Sequence, residues 1–196
     1  MIDLVHDVAE SYRKIVDAFS RPGEIMSIGK YAEKNDIDSS FHDSTILLVY
    51  MFLDAEVNYK LIEKESDDSS DLISKLTYSN EAKLDSADYI FISLYAQEKD
   101  KIEALMKSKV GSLKNPHETA TLIFEVESFD KGNCYEISGP GILKKNKIYV
   151  DLFENWDVLR NKKTEEFPLG IDIILVDKCH NIMVIPRTTI LKGSDI

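Results

Sequence analysis

Apolar residues recur three and four positions apart at Leu4, Val5, Val8, Tyr12, Ile15, Val16 and Phe19, and this spacing predicts an amphipathic helix buried along that stripe. Asp3 is placed to cap its start, and Arg21-Pro22-Gly23 ends it with one residue that cannot continue a helix and another that tolerates positive φ. A short extended piece over 24–28 is expected next. The run Thr45-Ile46-Leu47-Leu48-Val49-Tyr50-Met51 is apolar all round and suits a buried helix or strand. Its continuation through Leu53-Asp54-Ala55-Glu56-Val57 favours a helix, with the next strand starting near Ala55. The stretch from Glu63 to Asp71, rich in charge and serine, predicts a solvated loop leading into a helix from Leu72.

Strand signals dominate the second half. Tyr89-Ile90-Phe91-Ile92-Ser93-Leu94 is β-branched and aromatic, and Ile102, Leu105 and Met106 mark a helix after it. Further strands are expected at Thr121–Val126, Cys134–Ser138 and Lys147–Leu152, followed by a short helix carrying Trp156 and Leu159. Two final strands are expected at Ile171–Val176 and Ile182–Ile185. With no repeat, linker or shift in composition, the pattern predicts one α/β domain over residues 1–196: a mixed β-sheet flanked by helices.

Composition narrows the function classes. The 196 residues carry 35 Asp and Glu against 24 Lys and Arg, a formal net charge of -11, which argues against general nucleic-acid binding. No apolar run reaches the length of a membrane span, and Met1-Ile2-Asp3-Leu4 does not open a secretory signal, so a cytoplasmic protein is expected. Cys134 and Cys179 belong to no Cys-x-x-Cys pattern. His6, His42, His117 and His180 lack metal-ligand spacing, and neither a Walker motif nor a dinucleotide fingerprint occurs. No cofactor, metal or catalytic residue is therefore expected from the residues themselves.

Glycine and proline are scarce, 8 and 5 residues, and arginine is scarcer still, at Arg13, Arg21, Arg160 and Arg187. Gly139-Pro140-Gly141-Ile142 fits a type II turn, which is either a plain corner or a cradle of amides for an anion. A C-terminal hairpin centred between Cys179 and His180 would set Asp172 directly opposite Arg187. That pair is either a structural ion pair or an anion-facing arginine with its orienting carboxylate. Arg21, Gly139, Gly141, Asp172 and Arg187 are the candidate structural or anion-contact residues. Asp54 and Glu56 would share a face for a cation in a strand and would be solvated at a helix end.

In order, Phe19-Ser20-Arg21-Pro22-Gly23, Leu53-Asp54-Ala55-Glu56-Val57, Ala120-Thr121-Leu122, Ser138-Gly139-Pro140-Gly141-Ile142, Phe167-Pro168-Leu169-Gly170-Ile171-Asp172 and Pro186-Arg187-Thr188-Thr189 span nearly the whole chain. Together they resemble the PhnH family of the bacterial carbon-phosphorus lyase system. Where that family usually reads Gly-Ala-Thr before a strand, this chain has Thr119-Ala120-Thr121. The resemblance implies a fold similar to the large domain of pyridoxal-phosphate-dependent transferases, without the cofactor. It implies a homodimer in isolation and a core complex with the G, I and J subunits. The implied role, with the G, I and L proteins, is in forming ribose 1-alkylphosphonate 5-triphosphate from ATP and an alkylphosphonate, with release of adenine. An independent transferase holding an anionic substrate through Arg21, Arg187 and the Gly139–Gly141 turn is the alternative.

Overall fold

The computed structural model describes residues 1–64 and 69–193. The expected loop at 63–71 therefore lies partly outside the described residues. The elements in chain order are α1 (His6–Ser20), β1 (Met26–Ser27), α2 (Gly29–Ala32), α3 (Asp43–Phe52), β2 (Asn58–Ile62), α4 (Ser70–Thr77), β3 (Asn80–Glu81), β4 (Tyr89–Ile92) and α5 (Glu98–Lys107). They continue with β5 (Thr121–Val126), β6 (Asn133–Ser138), β7 (Asn146–Val150), α6 (Trp156–Lys163), β8 (Asp172–Asp177), β9 (Asn181–Ile185) and β10 (Ile190–Gly193).

The large sheet has seven strands in the order β1-β9-β8-β5-β4-β2-β3, parallel from β8 through β3 and antiparallel at β9 and β1. All six residues of β8 are buried, as a central strand covered on both faces requires. One face carries Ile123, Ile174, Val176 and Val184 against α1 to α4. The other carries Leu122, Phe124, Ile173 and Leu175 against α5, α6 and a three-stranded sheet, β10-β6-β7. The fold is thus α/β, with a mixed sheet between two covering layers.

Several expectations need correction. The stripe proposed for α1 is inward only in part: Ile15 is buried and Val8 and Phe19 pack against the core beside the buried Asp7, Ser11 and Ala18, while Leu4, Val5, Tyr12 and Val16 are exposed. Small and short side chains let the helix axis approach β9 and α3 closely, and Asp7 is tolerated because Lys34 Nζ donates to it at 2.7 Å. The Asp3 cap holds, with its carboxylate accepting from the Val5 and His6 amides, each at 2.9 Å. These bonds pull its carboxyl down to about 2.

Helix α3 stops at Phe52 instead of continuing through Val57. Asp54 and Glu56 lie exposed in a turn closed by the Glu56 amide on Asp54 Oδ1, and the strand starts at Asn58. A third C-terminal strand, β10, follows the two expected. The type II turn is as expected: Gly141 has φ +81° and the Ile142 amide donates to the Gly139 carbonyl at 3.1 Å.

Candidate functional site

Between Ile185 and Ile190 the chain crosses from the large sheet to the small one, and the crossing, residues 186–189, gathers most of the sequence motifs. Gly139 abuts it, since a Cβ there would lie 2.9 Å from the Thr188 carbonyl oxygen. Gly141 abuts the end of α1, where a Cβ would lie 2.4 Å from the Ser20 carbonyl oxygen. Gly170 faces Thr164 and Arg187, and its carbonyl accepts from the Thr119 hydroxyl. Gly139 and Gly141 lie where neighbouring backbones touch, and Gly170 where the Thr164 and Arg187 side chains close in, so none of the three leaves room for a Cβ.

Asp172 and Arg187 do meet, but not through the expected register. Pairs such as Ile173 with Ile185 and Val176 with Ile182 show a three-residue loop, so the register is offset by one from that placing Asp172 opposite Arg187. The loop is set by Asp177, whose Oδ1 accepts from the Cys179 and Asn181 amides, and by His180 at φ +59°. Arg187, one residue past Pro186, bends back instead. Its amide donates to Asp172 Oδ1 at 2.7 Å, and its Nη2 lies 3.2 Å from Oδ2. Nη1 donates to the Pro116 carbonyl at 2.6 Å, tying the crossing to the loop before β5.

Arg160, which the sequence reading did not single out, completes the cluster. It is 1% exposed and donates from Nη1 to the Thr189 carbonyl and from Nη2 to the Pro186 carbonyl, both at 2.6 Å, so one guanidinium clamps both ends of the crossing. Burial pulls its pKa down to about 10, opposed by the nearby charge of Asp172, so it remains a cation at neutral pH. Its position four residues after the buried Trp156 was the available signal, since the two share a helix face.

The other candidates do not join this cluster. Arg21 is half-exposed and paired with Asp17 at 3.3 Å and Glu24 at 3.4 Å. The Gly139–Gly141 turn lies between Ser20–Pro22 and Thr188–Thr189 and is packed against both.

Two further features matter. At the carboxyl ends of the parallel strands, where such sheets usually bind ligands, the buried Glu125 accepts from the His42 amide at 2.6 Å, the Thr45 hydroxyl at 2.7 Å and the Leu94 amide at 3.2 Å. The α3 N-terminus thus already holds an internal anion. Ser44 Oγ and His180 Nδ1 come within 3.4 Å, and Ser44 is fully buried. Among the described residues no three His, Cys, Asp or Glu side chains form a metal-binding group, and no helix is long and apolar enough to cross a membrane.

The second feature is a groove of about 320 Å³ beside the exposed stripe of α1, lined by Tyr12, Val16, Phe19, Met51, Phe52 and Tyr89 among others. Phe52 and Tyr89 stack with centroids 5.1 Å apart. Burial, and then the charges of Asp88 and Asp54, push the Tyr89 hydroxyl above its ordinary value. Asp88 is paired with Lys109 at 2.6 Å, so the exposed Asp54 is the acid at this lip of the groove.

The family described as "Bacterial phosphonate metabolism protein (PhnH)" matches residues 1–192. The chain belongs to the PhnH family. It is also 30% identical over 187 residues, covering 94% of this chain and 86% of the relative, to the "Putative C-P lyase subunit protein HtxG" of Stutzerimonas stutzeri. Membership of the PhnH family places the chain in carbon-phosphorus lyase phosphonate metabolism, and the crossing is where the 138–142, 167–172 and 186–189 motifs meet.

Proposed function

We propose that this chain is an accessory subunit of the carbon-phosphorus lyase core complex, working in the cytoplasm beside the G, I and J subunits. In this reading it supports, with G, I and L proteins, the formation of ribose 1-alkylphosphonate 5-triphosphate from ATP and an alkylphosphonate, with adenine as the leaving product. The observation that carries the reading is the family match over residues 1–192. It is supported by the subunit description of the HtxG relative and by the apolar face of α1, where Tyr12 is 52% and Val16 44% exposed. A partner segment with apolar side chains and flanking Lys or Arg suits that groove and its acidic lip. In isolation a second copy covers the same face, giving the homodimer. The mixed sheet between helical layers is compatible with kinship to the large domain of pyridoxal-phosphate-dependent transferases.

Adenine release tests the role. The purified chain given ATP and methylphosphonate is expected to release none, the mixture with G, I and L proteins to release adenine, and the mixture lacking this chain to fall to background. Turnover by the chain alone would instead establish an independent transferase.

A further inference from the structure

Among the described residues, the carboxylate that acts on both Arg160 and Arg187 is Asp172. Arg187 contacts it directly, whereas Arg160 donates to two carbonyls and, at 3.2 Å, to the Asn161 side-chain oxygen, none of which carries charge. Among the described residues, two guanidiniums face one carboxylate, which leaves a positive charge in excess, largely out of water, in a protein whose formal net charge is -11. Buried charges are ordinarily paired, so this excess calls for an anion.

The polar inventory agrees. Arg160 Nε and Thr189 Oγ1 are both buried and lack a hydrogen-bond partner. Both residues line a cleft of about 310 Å³ with Thr164, Phe167, Arg187 and Thr188. Phe167 is 75% exposed and forms an apolar rim. A charge excess, two unserved hydrogen-bonding atoms and an open cleft thus coincide.

We propose that the cleft between α6 and the 186–190 segment binds a small phosphate- or phosphonate-type oxyanion, held by Arg187 at its mouth with Thr189 and the charge of Arg160 behind. The choice of phosphorus oxyanion rests on the chain's proposed place in phosphonate chemistry; the demand for an anion does not. Arg187 retains N–H groups beyond those given to Pro116 and Asp172, so it can contact a ligand without releasing either. Phe167 lies where an alkyl substituent would sit.

The test uses the full chain with methylphosphonate, and with inorganic phosphate standing for the phosphoryl groups of a nucleotide. Binding is followed by phosphorus NMR line width and by calorimetry at fixed ionic strength, with acetate as control. Saturable binding of at least one phosphorus probe is expected, tighter for methylphosphonate if the ligand is an alkylphosphonate and for phosphate if it is a nucleotide. Acetate is expected to be weaker than the preferred probe.

Arg187→Lys, which keeps the charge and loses the planar fork, should weaken binding about 5-fold or more. Thr189→Val should weaken it about 3-fold without loss of folding, because the lost hydroxyl has no protein partner. Asp172→Asn, if folded, should tighten binding, a change of sign that a purely structural role does not produce. Absence of saturable binding, equal binding of acetate, or indifference to both Arg187→Lys and Thr189→Val overturns the proposal. A chain that assembles with its partners yet binds neither probe refutes this site alone. One that binds a probe yet fails to assemble refutes the subunit reading alone.

Discussion

Replacing Asp172 by Asn leaves the Arg187 amide an acceptor but removes the negative charge shared by two guanidiniums. At the 3.2 Å separation of Asp172 and Arg187, unit charges at an effective dielectric of about 20 attract by roughly 5 kcal/mol before desolvation is counted. The Asp172 side chain is 12% and that of Arg187 23% exposed, so the pair falls between surface pairs, worth about 0–1 kcal/mol, and buried pairs that cost about 3–5 kcal/mol when broken. A coupling of about 2 kcal/mol is expected. It is measured by urea unfolding of the wild type, Asp172→Asn, Arg187→Gln and the double variant, all free of phosphate. The cycle subtracts the bond from Arg187 to Pro116, which both Arg187 variants lose alike. A coupling below about 0.5 kcal/mol would refute the view that this ion pair holds the crossing in place.

Other expectations follow from single positions. Gly141→Ala must adopt a left-handed conformation and overlap the Ser20 carbonyl, and should cost about 3 kcal/mol, lowering Tm by roughly 6–12 °C in calorimetry. Thr189→Val, measured without anions, should leave stability unchanged or raise it by up to about 1 kcal/mol, since it removes an unpaired buried hydroxyl. The depressed carboxyl of Asp3 contributes stability that is fully present above its unfolded pKa and lost as pH falls towards about 2. Urea midpoints of wild type and Asp3→Ala should therefore differ near neutrality and converge in that acid range. Complex assembly, followed by light scattering, should weaken as salt rises, because the acidic chain and the lip at Asp54 favour basic partners.

Element types were largely readable because most segments had one dominant period or composition. Thr121–Val126 holds the apolar run Leu122-Ile123-Phe124, and its place as an inner strand of the sheet explains why no alternation appears there. Orientation was less readable. In α1 Ile15 turns inward with the small Ser11 and Ala18, while Leu4, Val5, Tyr12 and Val16 stay exposed, because the buried face is rotated from the apolar stripe towards the small side chains. The hairpin register turned on one residue of loop length, decided by the Asp177 carboxylate and the left-handed His180, neither of which is a strong turn signal. β10 is short and exposed at three of its four residues, and it gains its partner from β6, more than fifty positions earlier. Arg160 was hidden by neighbours: beside Asn161, Lys162 and Lys163 it reads as one more charge on a wet helix, although its spacing from Trp156 turns it inward.

The central claim is most directly tested at the α1 face. A tagged version of this chain, co-produced with the G, I and J subunits and run on size-exclusion chromatography, should elute with them in one peak. Val16→Asp should abolish that co-elution while the isolated variant keeps its secondary structure and elutes as a monomer, because Val16 is 44% exposed. A wild-type chain that elutes apart from all three subunits would contradict the claim, and a Val16→Asp variant that assembles undiminished would remove this face from it.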